Sequence, residues 1–317
     1  MSALLFAAAE SVLVLCLAGT FLGFGLVFAS TTMVSTLIQH CCKTNIGKYT
    51  GVVLAANGVG TAIATQVYTP IINASSDPFA YRNAYYLSAI IVGIVLVVIC
   101  LLLGKTSFSG AKPKSKGSLG SKVTFQNKSM RTNFIIIAIS IFLTGFVIQG
   151  TYGIFAAYLS DVGLSSAKVA TVFSIFSIVL TIAKIFMGAL YDRFGLRVTL
   201  YFGYICSILA LMLILLTASV PSLAIACAVA LALATPLETI GITLIVRGVF
   251  GTEHYNDIIG KMMAMNYAGY AVGAPVINLF FDISGSYNMA FIIYACIMLA
   301  LLFATQYVAI RSQKIKQ

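Results

Sequence analysis

Residues 169–217 read VATVFSIFSIVLTIAKIFMGALYDRFGLRVTLYFGYICSILALMLILLT. Two apolar runs, 169–191 and 198–217, flank one charged turn at 192–197, and Lys184 is the single charge inside either run. A helix of about 20 apolar residues crosses a bilayer core of roughly 30 Å, so each run is a membrane span. Both runs are continuously apolar. They lack the in-out alternation of a membrane β-barrel strand, which excludes that architecture.

The same pattern extends outward in both directions. Nine stretches satisfy the length requirement: about 11–38, 51–72, 85–104, 134–158, 169–191, 198–217, 222–246, 262–281 and 289–310. The first is long enough that it must tilt or run past the membrane. Across all 317 residues the chain is 60% hydrophobic and 9% charged, with a mean hydropathy of +1.03. A water-soluble domain carries roughly 25% charged residues, so a soluble enzyme is excluded. Disorder is excluded too, because it requires low hydrophobicity. The expected fold class is an all-α membrane protein, a helical bundle with about nine complete transmembrane helices.

The net charge of +11 does not indicate nucleic acid, because its placement follows topology. Sixteen of the 19 Lys and Arg residues lie in the gaps 39–50, 105–131, 192–197, 247–261 and 311–317, all on one side of the bundle. The opposite gaps hold only Arg82 and Lys168. The positive-inside rule then puts the C-terminus in the cytoplasm of a multi-pass protein, with the cell membrane as its expected location. Tyr81, Tyr85 and Tyr86 suit the outer interface, where aromatic rings sit at headgroup level. Seven cysteines, most of them inside apolar runs, do not form a disulfide framework.

The long basic gap divides the chain. Residues 1–104 read as an incomplete N-terminal helical half, the end of one helix plus three spans. Residues 105–131 read as a basic cytoplasmic linker, and 132–317 as a six-helix C-terminal half. The linker either holds topology by charge alone or also contacts anionic lipid. Residues 3–9 (ALLFAAA) are too short to cross and resemble the tail of a helix. The expectation is an N-terminal truncation of a six-plus-six bundle.

The segment Gly188–Arg197, GALYDRFGLR, is the most specific motif. A glycine at 188 permits close helix approach. Asp192, Arg193 and Arg197 follow at the helix end around a turn at Gly195, where a carboxylate can pair with an arginine or cap a neighbouring helix. Such a cluster can hold two helices in one conformation and release them in another. The segment resembles the G-x-x-x-D-R-x-G-R-R signature of the major facilitator superfamily, with Leu196 standing where a second basic residue is usual. That resemblance implies a secondary transporter working by alternating access, with Gly188, Asp192, Arg193, Gly195 and Arg197 as its gating motif.

Finer likeness points to the branch of monocarboxylate transporters and oxalate/formate antiporters. Gly51–Gly60 is similar to the glycine-spaced start of that branch's fifth helix, although Cys42-Lys43-Thr44-Asn45 replaces its usual upstream residues. Gly19, Gly23 and Gly25 resemble the preceding glycine-rich helix. Phe281–Tyr287 resembles the turn before the last one. In that branch an arginine that binds the substrate carboxylate occupies the place of Lys184.

Lys184 also stands out on physical grounds. A charge at the middle of a span costs roughly 2.5–3.5 kcal/mol on insertion scales and is kept where it faces protein or a wet cavity. The alternative is a lysine snorkelling to the interface. Glu238, two residues after Pro236, is the second charge at membrane depth. Lys184 lies eight residues before Asp192 and Glu238 nine before Arg247. At about 1.5 Å per residue the pair sits at similar depth. Glu238 is expected to neutralise Lys184 or to take a proton during coupling, or else to be a structural glutamate at a proline kink. Gln149, Thr151 and Tyr152 in the fourth span and Asn266 and Asn278 in the eighth are further polar candidates, of which Gln149, Tyr152 and Asn266 are assigned to substrate.

Other classes find no support in the sequence. His40 and His254 have no Cys or His at ligand spacing, so neither a metal nor any other cofactor is implied. No nucleophile elbow, Walker loop or dinucleotide fingerprint occurs, and the chain is not expected to be an enzyme. The expected function is transport of a small organic anion, a monocarboxylate, by proton symport or anion exchange, with protons as the candidate coupling ion. The alternative is a non-transporting remnant, sensor or partner subunit of the same fold.

Overall fold

The computed structural model describes residues 1–28, 46–73, 79–103, 128–251 and 255–316. Among the described residues ten α-helices follow in order: α1 Ser2–Ala7, α2 Val12–Phe28, α3 Ile46–Asn73, α4 Tyr81–Leu103 and α5 Lys128–Asp161, then α6 Ser166–Thr217, α7 Ala224–Ala234, α8 Ile240–Phe250, α9 Tyr255–Ser284 and α10 Asn288–Lys316. Short 3-10 turns occupy Pro221–Leu223 and Thr235–Glu238. No strand occurs among the described residues. Each expected span is helical where it is described, apart from a break in the seventh. The reason is that hydrocarbon offers no partner for a backbone amide, so each segment satisfies its own. Cys42–Asn45, His40, His254 and most of the basic linker lie outside the described residues.

Two compact units divide the chain, Met1–Leu54 with Ile63–Lys116, and Ala55–Ala62 with Gly117–Gln317. In the first, α1 packs on α2 and α4. Phe6 stacks on Tyr85 with ring centroids 5.2 Å apart, and the Ser2 hydroxyl donates to the Ala18 carbonyl at 2.9 Å. Arg82 donates to the Ala9 carbonyl at 3.2 Å, pairs with Glu10 at 3.9 Å and covers the Phe79 ring at 4.5 Å.

The second unit contains the proposed site. Its helix α6 has 52 residues and would reach roughly 78 Å if straight, more than twice the bilayer core. It turns at Gly195, whose φ of 77° and ψ of −179° belong to a region open essentially to glycine alone. One helix thus supplies two spans. Leu196, directly after the turn, is buried, and a Cβ on Gly248 of α8 would come within 2.8 Å of it.

The seventh expected span is not one kinked helix but a broken one. Pro236 has no amide hydrogen and its ring collides with the carbonyl one turn back. The chain therefore tightens to a 3-10 turn over Thr235–Glu238 and restarts at Ile240. The Thr239 amide and hydroxyl both donate to the Pro236 carbonyl, at 3.2 and 3.4 Å.

Helices α5 and α9 meet backbone to backbone. A Cβ on Gly269 would overlap the Phe142 carbonyl oxygen, and one on Gly273 would overlap that of Phe146. A Cβ on Gly150 would stand 2.8 Å from the Gly273 carbonyl carbon. Small residues allow this approach, and in a membrane such packing replaces the hydrophobic drive that lipid cannot supply. Buried aromatic side chains complete the core and satisfy their polar ends. The Tyr158 hydroxyl donates to the Ile214 carbonyl at 2.6 Å and that of Tyr294 to the Gly273 carbonyl at 3.0 Å.

Candidate functional site

Lys184 is half-buried on the first arm of α6, before the Gly195 turn. Glu238 sits in the 3-10 break and is only 3% exposed. The two side chains sense each other's charge, yet no ion pair joins them. The Tyr152 ring, on α5, rests on Phe173 and Phe176 of α6 with centroids 5.7 and 5.1 Å away, and its hydroxyl feels the Glu238 charge. Three elements thus bring three of the expected residues into one cluster.

A broken span explains why Glu238 is there. Where a helix unwinds, its carbonyls lose their intrahelical donors, and such breaks in membranes occur where other groups satisfy them. The Asn266 amide donates to the Glu238 backbone carbonyl at 3.2 Å. Asn266 is 1% exposed, and its Oδ1 points at α5, 2.5 Å from where a Gly145 Cβ would stand. Asn266 is expected from sequence as a substrate contact. Its Nδ2 ties α9 to the break, whereas its Oδ1, buried against Gly145 of α5, has no hydrogen-bond partner among the described residues.

Tyr270 was not legible as a member. Its hydroxyl approaches both the Glu238 carboxylate and the Asn266 side chain. Its place one helical turn after Asn266, on the same face of α9, is the signal that identifies it. Gln149 is half-buried on α5 and makes no hydrogen bond among the described residues. Thr151 returns its hydroxyl to the Val147 carbonyl at 2.7 Å, and Asn278 is exposed. None of these three makes a hydrogen bond to the cluster.

The Gly188–Arg197 segment lies at the other end of this α6 arm. Tyr191, Asp192, Gly195 and Leu196 line a cleft of about 460 Å³ with Arg247, Gly248, Ala309 and Ser312. The motif therefore faces the ends of α8 and α10. Gln306 of α10 donates to the Arg197 carbonyl at 2.8 Å. Asp192, Arg193 and Arg197 are exposed, and no ion pair engages them among the described residues. The Arg193 guanidinium lies 5.2 Å from the Phe194 ring centroid. Gly195 carries the positive φ. Gly188, in contrast, has open space where its Cβ would be, so the close approach expected there is absent among the described residues. The close contacts fall instead at Gly145, Gly150, Gly269 and Gly273 on α5 and α9, and at Gly58, where a Cβ would overlap the Thr181 side chain.

The family model described as Major Facilitator Superfamily matches residues 1–161 and, in a second alignment, 137–314. The chain belongs to the major facilitator superfamily. It is accordingly an integral membrane protein of a transporter family, and the bent helix, the broken span and the glycine-packed pair are this member's version of that bundle. No curated protein matches it significantly.

Proposed function

We propose that this superfamily member carries a small organic anion, a monocarboxylate, across the cell membrane by alternating access, as a proton symporter or an anion exchanger. Lys184 attracts the substrate carboxylate through a charge-assisted hydrogen bond. A lysine holds it as a point charge, without the bidentate fork of an arginine. Glu238 offsets the lysine when the site is empty and takes up a proton in the coupled cycle. Residues 188–197 act as a latch on the cytoplasmic side, the side that also holds the C-terminus. The basic segment 105–131 links an N-terminal part, residues 1–104, to the six-span part, residues 132–317.

One observation supports this reading above the others. Two opposite charges lie at membrane depth on different elements, near enough to feel each other, and neither is neutralised by a direct pair. Intramembrane ionisable groups mark substrate and ion paths by default, because hydrocarbon makes them expensive to keep for any other reason. Uptake of labelled lactate, pyruvate, formate and oxalate into liposomes holding the protein tests the proposal, with Lys184→Gln measured beside it. Uptake of a monocarboxylate by the wild type and its loss in the variant are expected. Equal uptake by both removes Lys184 from the mechanism.

A further inference from the structure

The turn in α6 carries a second cleft. Phe194, Gly195, Leu196, Arg197, Val198 and Tyr201 line a volume of about 430 Å³, within the usual range of small-ligand sites. Every lining residue belongs to α6 itself, so no other helix closes this cleft, unlike the one shared with α8 and α10. It opens at the start of the second arm. Exposed apolar side chains continue from it along that arm at Ile205, Leu209, Met212 and Leu216, at the spacing of one helix face. From Val198 to Leu216 the arm rises roughly 27 Å, close to the roughly 30 Å of a bilayer core. That face therefore lies against acyl chains, and the cleft at its end lies at headgroup level.

The charges at this end do not cancel. Arg193 and Arg197 are exposed, and no ion pair engages either among the described residues. Arg197 lines the cleft, with its backbone fixed by the Gln306 amide on its carbonyl at 2.8 Å. Arg193 is placed beside the cleft by the Phe194 ring, 5.2 Å from its guanidinium, a cation–π contact. Asp192, the one carboxylate of the motif, lines the other cleft together with Arg247. Tyr201 adds an aromatic body with a polar tip, the combination suited to a membrane interface.

We infer that this outer cleft binds one anionic phospholipid. Its phosphate lies between Arg193 and Arg197, its headgroup against Tyr201, and an acyl chain along Ile205 and Leu209. A guanidinium takes a phosphate through two parallel N–H···O bonds, and basic pockets at the membrane surface hold anionic headgroups in this way. A zwitterionic lipid offers the same phosphate but sets its own ammonium against the two arginines. A soluble phosphate has the charge but nothing to lay along the apolar face. The inference goes beyond the proposed function and does not depend on what the protein carries.

The test titrates the full chain in detergent micelles with phosphatidylglycerol or with phosphatidylcholine of identical acyl chains, and reads affinity from lipid-dependent thermal stabilisation. One arginine near an anionic surface contributes about fivefold, so the pair is expected to favour phosphatidylglycerol on the order of 30-fold. Arg197→Gln is expected to cut that preference about fivefold, and the double variant Arg193→Gln/Arg197→Gln to bring it near one. Arg311→Gln, on the same side of the bundle but outside the cleft, is expected to keep the preference whole. Glycerol 3-phosphate alone is expected to leave the midpoint unmoved. A wild-type preference below about threefold, a preference that survives in the double variant, an equal loss in Arg311→Gln, or equal stabilisation by glycerol 3-phosphate each overturns the inference. If the double variant does not fold, Arg197→Gln measured against Arg311→Gln decides.

Discussion

Replacing Gly269 with alanine adds one methyl group at the point where α9 meets α5. That methyl would overlap the Phe142 carbonyl oxygen and stand 2.8 Å from the Phe146 nitrogen. Both neighbours are backbone atoms of a helix, so no side chain can swing aside and α9 must retreat. Overpacking of this kind costs about 1–3 kcal/mol, and a backbone collision belongs at the upper end. Retreat also loosens the contact between Gly273, one turn further along α9, and Gly150. Against this stands the gain of about 1 kcal/mol for alanine over glycine inside a helix. The net expectation is a loss of about 2 kcal/mol, or roughly 4–8 °C in midpoint at 2–4 °C per kcal/mol. Gly260 provides the control on the same helix. Its Cβ would meet nothing within 4 Å, so Gly260→Ala keeps only the helix gain and is expected to melt about 2–4 °C above wild type. Thermal unfolding of the three proteins in one detergent reads the difference. A Gly269→Ala protein that melts at or above wild type would refute the backbone contact between α5 and α9.

Three further outcomes follow from the same geometry. Glu238→Gln removes a group that can bind and release a proton, so uptake is expected to lose its pH dependence while substrate still binds; an unchanged pH profile would exclude Glu238 from coupling. Asn266→Ala leaves the Glu238 carbonyl without its donor in a dry place and is expected to cost about 1–3 kcal/mol, checked by the same melting measurement; a change below about 0.5 kcal/mol would mean that Asn266 does not tie the break to α9. Gly195→Ala forces a side chain into backbone territory reserved for glycine, at about 1–3 kcal/mol; stability equal to wild type would mean that the turn between the two arms of α6 is not held as described.

Much of the fold was readable from consecutive residues. Apolar runs of spanning length became helices because a bilayer leaves a backbone no partner outside its own segment. The turn at Gly195 and the disruption at Pro236 were also local matters, one of allowed φ and ψ and one of a missing amide hydrogen. The number of breaks was less legible. A proline can merely bend a helix, as the continuous α3 and α9 around Pro70 and Pro275 show, and whether Pro236 bends or breaks depends on what satisfies the freed carbonyls.

That Lys184 and Glu238 both stand inside apolar segments was likewise visible, because helical rise converts sequence spacing into height. Height says nothing about azimuth. That Glu238 faces Tyr270, that Asn266 turns its amide into the α5 contact, and that Gly269 rather than Gly188 carries a close approach depend on residues far apart in the chain. Sequence thus determined which segments cross the membrane and where the chain must turn, since hydrogen bonding and desolvation act within a segment. Tertiary structure alone decided which faces meet, because helices already satisfied along their own axes are set against one another by side-chain volume and by the few polar groups left without a partner.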